Sequence, residues 1–256
     1  MQTYEEFHQK SLSEREAFWA EQAKRIHWET PPQQICDYSN PPFARWFVGG
    51  RTNLCYNAVD RHALQRPDDA ALIAVSTETN TEKTYSFSEL QREVERMAAS
   101  LQELGVEQGD RVLIYMPMIA EACFAMLACT RIGAIHSVVF GGFASGSLST
   151  RIDDAQPKVI ISADGGSRGA KPVPYKPLLD EAIHLATHKP AAVLLVDRGL
   201  TPMQLVEGRD VLWSELRTHH MDAQVPCVWL DATTPSYTLY TSGTTGKPKG
   251  VQRDTG

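Results

Sequence analysis

The densest group of residues that could do chemistry is Thr241-Ser242-Gly243-Thr244-Thr245-Gly246-Lys247-Pro248-Lys249-Gly250. Gly243, Gly246 and Gly250 permit backbone torsions that other residues resist, so several amides can converge on one anion. Thr241, Ser242, Thr244 and Thr245 add hydroxyl donors, and Lys247 and Lys249 add positive charge. A loop of this composition at the end of an apolar strand suits phosphate oxygens. It is not a Walker A loop, which needs four residues between its glycines and Ser or Thr after its lysine. Here two residues separate Gly243 from Gly246, and Pro248, which has no amide to donate, follows Lys247. A plain surface turn is the alternative, but turns seldom gather so many glycines, hydroxyls and lysines.

Two further stretches are candidates. "VVFGGF" places Gly141 and Gly142 just after Phe140, where a thin ligand chain could pass close to the backbone. "ADGGSRGAK" puts Arg168 and Lys171 on a glycine-rich turn, either facing an anion or simply solvated. Other polar groups read as structural. Glu181, His184 and His188 have helical spacing but form no H-E-x-x-H pattern. His219-His220 reads as a helix end, and Asp60, Arg61 and His62 as supports of the fold.

These loops need elements to hold them. Residues 3–25 read as one or two amphipathic helices, with Ser13 and Glu16 as a capping box. The stretch "HWETPPQQICDYSNPPFARWFVGG" contains Pro31-Pro32 and Pro41-Pro42, which forbid regular helix, and reads as an ordered linker around Trp46 and Phe47. A helix is expected at about 53–65, ended by Pro67. From there the pattern alternates. "AALIAVST" reads as a buried strand. Ser86 and Glu89 form a second capping box, followed by Leu90, Val94, Met97, Leu101 and Leu104 at helical spacing, with Gly105 as C-cap. "RVLIYM", "AIHSVVF", "KVIISAD", "AAVLLVD" and "SYTLYTSG" read as strands, with helices at 120–133, 147–155, 177–187 and in "VLWSELRTH". Strands alternating with helices predict an α/β architecture with a largely parallel sheet.

A net charge of −6 gives no sign of a nucleic-acid partner. Five cysteines without a C-x-x-C pair read as buried thiols in a reducing compartment. The charged N-terminus lacks a signal-peptide core, and Glu121 interrupts the longest apolar run, so no membrane span is expected. These readings together predict a cytoplasmic protein.

"YTSGTTGKPKGV" resembles the signature loop of the adenylate-forming enzymes, which include acyl-CoA synthetases, adenylation domains and luciferases. The resemblance extends over essentially the whole chain. The region from "GDRVLIYM" to "VIISAD" resembles the short-chain branch containing acetyl-CoA and propionyl-CoA synthetases, and "ARWFVGGRTNLCYNAVDRH" is closer to the propionyl-CoA synthetases. The resemblance implies an N-terminal leader over 1–66 and the first part of the large AMP-binding domain over 67–256. It implies that ATP and a small carboxylate, propionate or acetate, give an acyl-adenylate and pyrophosphate, after which CoA displaces AMP. Thr241 through Gly246 would hold the β- and γ-phosphates, Thr241 would also help ligate Mg²⁺, and Lys247 and Lys249 would offset charge on the leaving pyrophosphate. Phe140, Gly141 and Gly142 would lie along pantetheine. Arg168 would face the ribose 3′-phosphate together with Lys171, which stands where relatives commonly have a second arginine.

Family members are more than twice as long. The expectation is therefore a truncated chain, inactive alone, with one sheet face uncovered and prone to self-association. Two other readings remain at this stage: a non-catalytic module that holds CoA or nucleotide phosphate, and a P-loop phosphotransferase, which the loop spacing disfavours.

Overall fold

The computed structural model describes residues 3–169, 171–241 and 248–256. Two short helices open the chain, α1 (Tyr4–Ser13) and α2 (Arg15–Ala23). Thr3 and Glu6 form the capping box of α1. The expected box at Ser13 and Glu16 does not form. The Ser13 hydroxyl instead donates to the Gln9 carbonyl, and Glu14 precedes α2 without a side-chain cap. The stretch expected to be a linker is an antiparallel hairpin, β1 (Gln34–Asn40) and β2 (Phe43–Val48), turned at Pro41-Pro42. The prolines exclude helix, as expected, but they sit at the turn, and the ladder shifts register only between Asp37 and Asn40 beside it. Trp46 packs edge-on against Trp19 of α2, which anchors the hairpin to the leader.

A two-residue strand, β3 (Arg51–Thr52), leads into one turn of π-helix (Tyr56–Asp60) and α3 (Arg61–Gln65). Next come β4 (Ala70–Ser76) and β5 (Thr81–Ser86), which pair antiparallel as a separate hairpin. This corrects the reading of "AALIAVST" as a buried strand of the parallel sheet. Ile73 and Val75 face outward at 61% and 64% exposure. The second capping box forms as expected: Ser86 Oγ accepts from the Glu89 amide, and the Glu89 carboxylate accepts from the Ser86 amide. Such a cap contributes about 1 kcal/mol. It starts α4 (Phe87–Glu103), whose Leu90, Val94, Met97 and Leu101 are buried.

The central sheet begins at β6 (Arg111–Met116). It continues through α5 (Ala120–Ile132), β7 (Ile135–Phe140), α6 (Ser145–Ala155), β8 (Val159–Ala163), the small hairpin β9 (Gly165–Arg168) and β10 (Lys171–Pro174), and α7 (Tyr175–Leu185). After these come β11 (Ala192–Val196), β12 (Asp210–Leu212), α8 (Trp213–His219), β13 (Leu230–Asp231), β14 (Pro235–Thr241) and β15 (Lys249–Asp254). Strand order in the sheet is β12-β11-β8-β6-β7-β14-β15, parallel except for the edge strand β15. β13 pairs with β3 and closes the leader against the body.

Alternate residues of the central strands supply two cores. Val112, Ile114, Val159, Ile161 and Leu194 face α4 and α5, while Leu113, Tyr115, Ile160, Val193 and Leu195 face α6 and α7. The strand "RVLIYM" is therefore covered on both faces, contrary to the expectation of a bare face. A strand buried on both sides reads as a continuous apolar run because neither face meets water. The exposed apolar residues lie elsewhere, including Leu239 and Val251, which are cross-strand neighbours in β14 and β15.

Behind α5 sits a buried charge cluster. Arg131 donates to both oxygens of Asp60 at 2.8 Å each and to Glu95 at 2.8 Å. Asp60 thus supports the fold, as the sequence suggested. Among the described residues, no helix is long and apolar enough to cross a membrane.

Candidate functional site

The candidate loops leave the same edge of the sheet, the carboxyl ends of its parallel strands. Phe140-Gly141-Gly142 follows β7, the β9–β10 hairpin follows β8, and the 241–249 loop follows β14. In open α/β sheets this edge is where ligands bind.

The first two stretches meet at one side chain that the sequence reading did not single out, Tyr175. A Cβ on Gly141 would lie 2.3 Å from Tyr175 Oη, and a Cβ on Gly166 would lie 2.6 Å from the same atom. Both glycines are therefore required by close approach. Tyr175 is buried and packs against Tyr115, ring centroids 5.1 Å apart. Burial raises the pKa of both phenols, that of Tyr115 to about 12. Phe140, by contrast, is 71% exposed at the mouth of this cradle, its ring edge-on to Phe143.

The expected glycine-rich turn is the tip of the β9–β10 hairpin, where Arg168 and Lys171 are cross-strand partners and both exposed. A polar network fixes the hairpin base. Asp164, fully buried at the end of β8, accepts from the amides of Leu200 (2.6 Å) and Thr201 (3.2 Å). Arg198 donates to the Gly165 carbonyl (2.5 Å) and to Glu78 (2.7 Å) in the β4–β5 turn. Burial pulls the Glu78 carboxyl upward, but hydrogen bonds from Ser167 and Arg198 outweigh it and hold the group below the ordinary carboxylate range. The β4–β5 hairpin thus braces the basic hairpin. Asp164 lies inside "ADGGSRGAK" but was not singled out from the sequence, and Arg198 and Glu78 come from distant segments with no local signal.

The third loop closes a hairpin. β14 and β15 pair from Pro235↔Asp254 to Thr241↔Lys249, so Thr241 and Lys249 face each other across its mouth. Ser242, Gly243, Thr244, Thr245, Gly246 and Lys247 lie outside the described residues. The Thr241 hydroxyl donates across the mouth to the Lys249 carbonyl at 3.5 Å. Helix α6 ties this hairpin to the β7 loop. Tyr240 Oη donates to Asp154 at 2.6 Å, and the Arg151 guanidinium lies over the rings of both Phe143 (4.4 Å) and Tyr240 (5.5 Å). Deeper in the sheet, His136 of β7 stacks on Tyr237 of β14 at 5.6 Å. Burial pushes the His136 pKa down to about 4.

The rejected metal triad is not assembled. Glu181 accepts from Ser145 Oγ at 2.7 Å, and His188 Nε2 faces the Pro157 carbonyl at 2.8 Å.

The sequence pattern of the AMP-binding enzyme family matches residues 59–256, and that of the acetyl-coenzyme A synthetase N-terminus matches residues 4–58. The chain belongs to the AMP-binding enzyme family. Within it, the chain is 61% identical over 254 residues to the propionate–CoA ligase of Escherichia coli (strain K12), covering 99% of this chain and 40% of the ligase. It is 45% identical over 251 residues to the acetyl-coenzyme A synthetase of Streptomyces avermitilis, covering 98% of this chain and 38% of that protein. The solved acetoacetyl-CoA synthetase from Streptomyces lividans superposes with a TM-score of 0.88 at 29% identity, over all of this chain and 39% of that one. The chain thus spans about two fifths of the length of these family members.

Proposed function

We propose that this chain carries the phosphate- and CoA-binding part of an AMP-forming short-chain acid–CoA ligase, with propionate as the acid. The observation that carries the reading is that two loops cradled on Tyr175 and the hairpin mouth at Thr241 and Lys249 lie at the same carboxyl edge of the sheet. The identity to propionate–CoA ligase, higher than that to the acetyl-coenzyme A synthetase, supports propionate.

In this reading, Thr241 through Gly246 donate hydrogen bonds to the β- and γ-phosphates of ATP, and Thr241 also contributes an oxygen to Mg²⁺. Lys247 and Lys249 stabilise the negative charge that grows on the leaving pyrophosphate when the carboxylate attacks the α-phosphorus. Preorganised donors aimed at developing charge are the largest single source of such acceleration. The hairpin mouth fits this role, since Thr241 and Lys249 are held opposite each other. Phe140, Gly141 and Gly142 line the passage for pantetheine; Tyr175 fills the side of Gly141 where a Cβ would sit, so the ligand would run along the exposed Phe140 ring and the backbone beside it. Arg168 and Lys171 at the exposed hairpin tip take the ribose 3′-phosphate.

Calorimetry with CoA and with dephospho-CoA tests the last assignment. A hydrogen bond to a charged group contributes about 1.5–3 kcal/mol. Arg168→Ala is therefore expected to weaken CoA binding roughly 10- to 150-fold, since 1.4 kcal/mol is tenfold. Dephospho-CoA should bind the variant and the parent alike. Equal loss for both ligands would remove Arg168 from the 3′-phosphate.

A further inference from the structure

Away from the candidate loops, three metal-ligating side chains converge where two helices end. Glu103 lies in the last turn of α4, His219 is the last residue of α8, and His220 caps it. His219 Nδ1 is 3.0 Å and His220 Nε2 is 2.6 Å from the same oxygen, Glu103 Oε2. All three donor atoms lie within 4.8 Å of one another. The two imidazoles stack at 4.9 Å with their planes 30° apart, so both nitrogens address the carboxylate from neighbouring directions. Tetrahedral zinc with Zn–N and Zn–O bonds near 2.0–2.2 Å holds its donors about 3.3 Å apart, so this cluster needs only a small opening to accept the ion.

The electrostatics of the place point the same way. An acid in the last turn of a helix sits at the negative end of the helix dipole, which favours a cation there instead. α4 has Glu103 in that turn and no basic residue, and the C-terminus of α8 brings a second negative end to the same spot. The nearby cations are committed elsewhere. Arg217 and Arg96 both pair with Glu93, and Arg96 also donates to the Met221 carbonyl. The other grouping of possible ligands, Cys55, Asp60 and Cys227, is different in kind. Arg131 already neutralises Asp60 there, and no room of that charge is left for a second cation.

We propose that Glu103, His219 and His220 form a surface site for a divalent transition-metal ion of the zinc class, which pins the end of α8 to the end of α4. Two imidazoles and one carboxylate match the borderline softness of zinc and leave the fourth position to water. The cluster lies on neither the phosphate nor the CoA loops, so the proposal does not depend on the proposed function.

The test is a zinc chloride titration of the full chain by calorimetry, with melting followed by circular dichroism in zinc and in chelator. The expected result is one saturable equivalent of Zn²⁺ per chain and a melting temperature that rises with zinc. His219→Ala and Glu103→Gln, both at exposed side chains, should each weaken binding by at least about tenfold, the loss typical of far milder changes around a metal. Their melting in chelator should equal that of the parent, and Cys227→Ser should bind zinc like the parent. The absence of saturable binding would overturn the proposal and leave an imidazole–carboxylate clasp. Binding that survives both His219→Ala and Glu103→Gln would overturn it too, as would binding lost in Cys227→Ser.

Discussion

Replacing Gly141 with alanine tests whether the two glycine stretches and Tyr175 form one packed unit. The new Cβ would lie 2.3 Å from Tyr175 Oη, 2.6 Å from Cζ and 2.7 Å from Cε2. To restore ordinary contact near 3.4 Å the ring must retreat by about 1 Å. It has little space to do so, being 6% exposed and packed on Tyr115. Gly141 does not have a positive φ, so alanine brings no backbone strain and the cost is overpacking alone. Overpacking a filled core costs about 1–3 kcal/mol. Gly166→Ala meets the same hydroxyl at 2.6 Å and should cost a similar amount. Once the ring has moved for one Cβ, the second meets less resistance. The double variant should therefore be more stable than the sum of the singles implies, by about 0.5 kcal/mol or more, the range for residues sharing a partner. Urea denaturation of the four proteins measures this directly, provided the slopes agree. Two costs that simply add, or single costs below about 0.5 kcal/mol, would refute the shared cradle, because they would mean that Tyr175 does not tie the β7 loop to the β9–β10 hairpin.

Two other perturbations probe the frame. His136 is held near pKa 4 by burial, against an ordinary 6.5, so the unfolded chain takes up a proton between pH 6.5 and 4 that the folded chain does not. Stability should be intact above pH 6.5 and fall by about 3 kcal/mol as pH drops to 4; urea midpoints across that range should decline less in His136→Gln than in the parent, and parallel profiles would refute the burial of a neutral imidazole. Arg131→Met leaves Asp60 and Glu95 facing each other without their cation. Breaking a buried pair from one side costs about 3–5 kcal/mol, and a urea midpoint like that of the parent would show that the cluster is not structural.

The parts of the fold most readily read from sequence were those set by local chemistry. Ser86 and Glu89 announce the start of α4 because a capping box needs only residues three apart. Gly105, read as the C-cap glycine, follows α4 in a left-handed conformation, φ 83°, that few other residues adopt. The central strands are legible because both their faces are apolar. "AALIAVST" carries the same signal yet forms a hairpin with one face outward, since composition alone does not say which sheet a strand joins. β15 was invisible: "KGVQRD" is exposed throughout and owes its conformation to the ladder with β14. Ser13 and Glu16 have capping spacing, but the Ser13 hydroxyl is taken by Gln9. In the candidate site, the glycines and cations could be named from the chain alone. Tyr175, Arg198, Glu78 and Arg151 could not, because each acts on a residue brought near by the fold.

The central claim, that these loops serve acid activation by ATP and transfer to CoA, is tested most directly by acid-dependent exchange between pyrophosphate and ATP. The purified protein is assayed with propionate and with acetate. The account predicts exchange that requires the acid, is faster with propionate, and needs no CoA. It also predicts that Lys247→Ala lowers the exchange rate by roughly ten- to a thousand-fold, the range for removing a donor that faces developing charge. Acid-independent phosphate release, or exchange at the parent rate in Lys247→Ala, would contradict it.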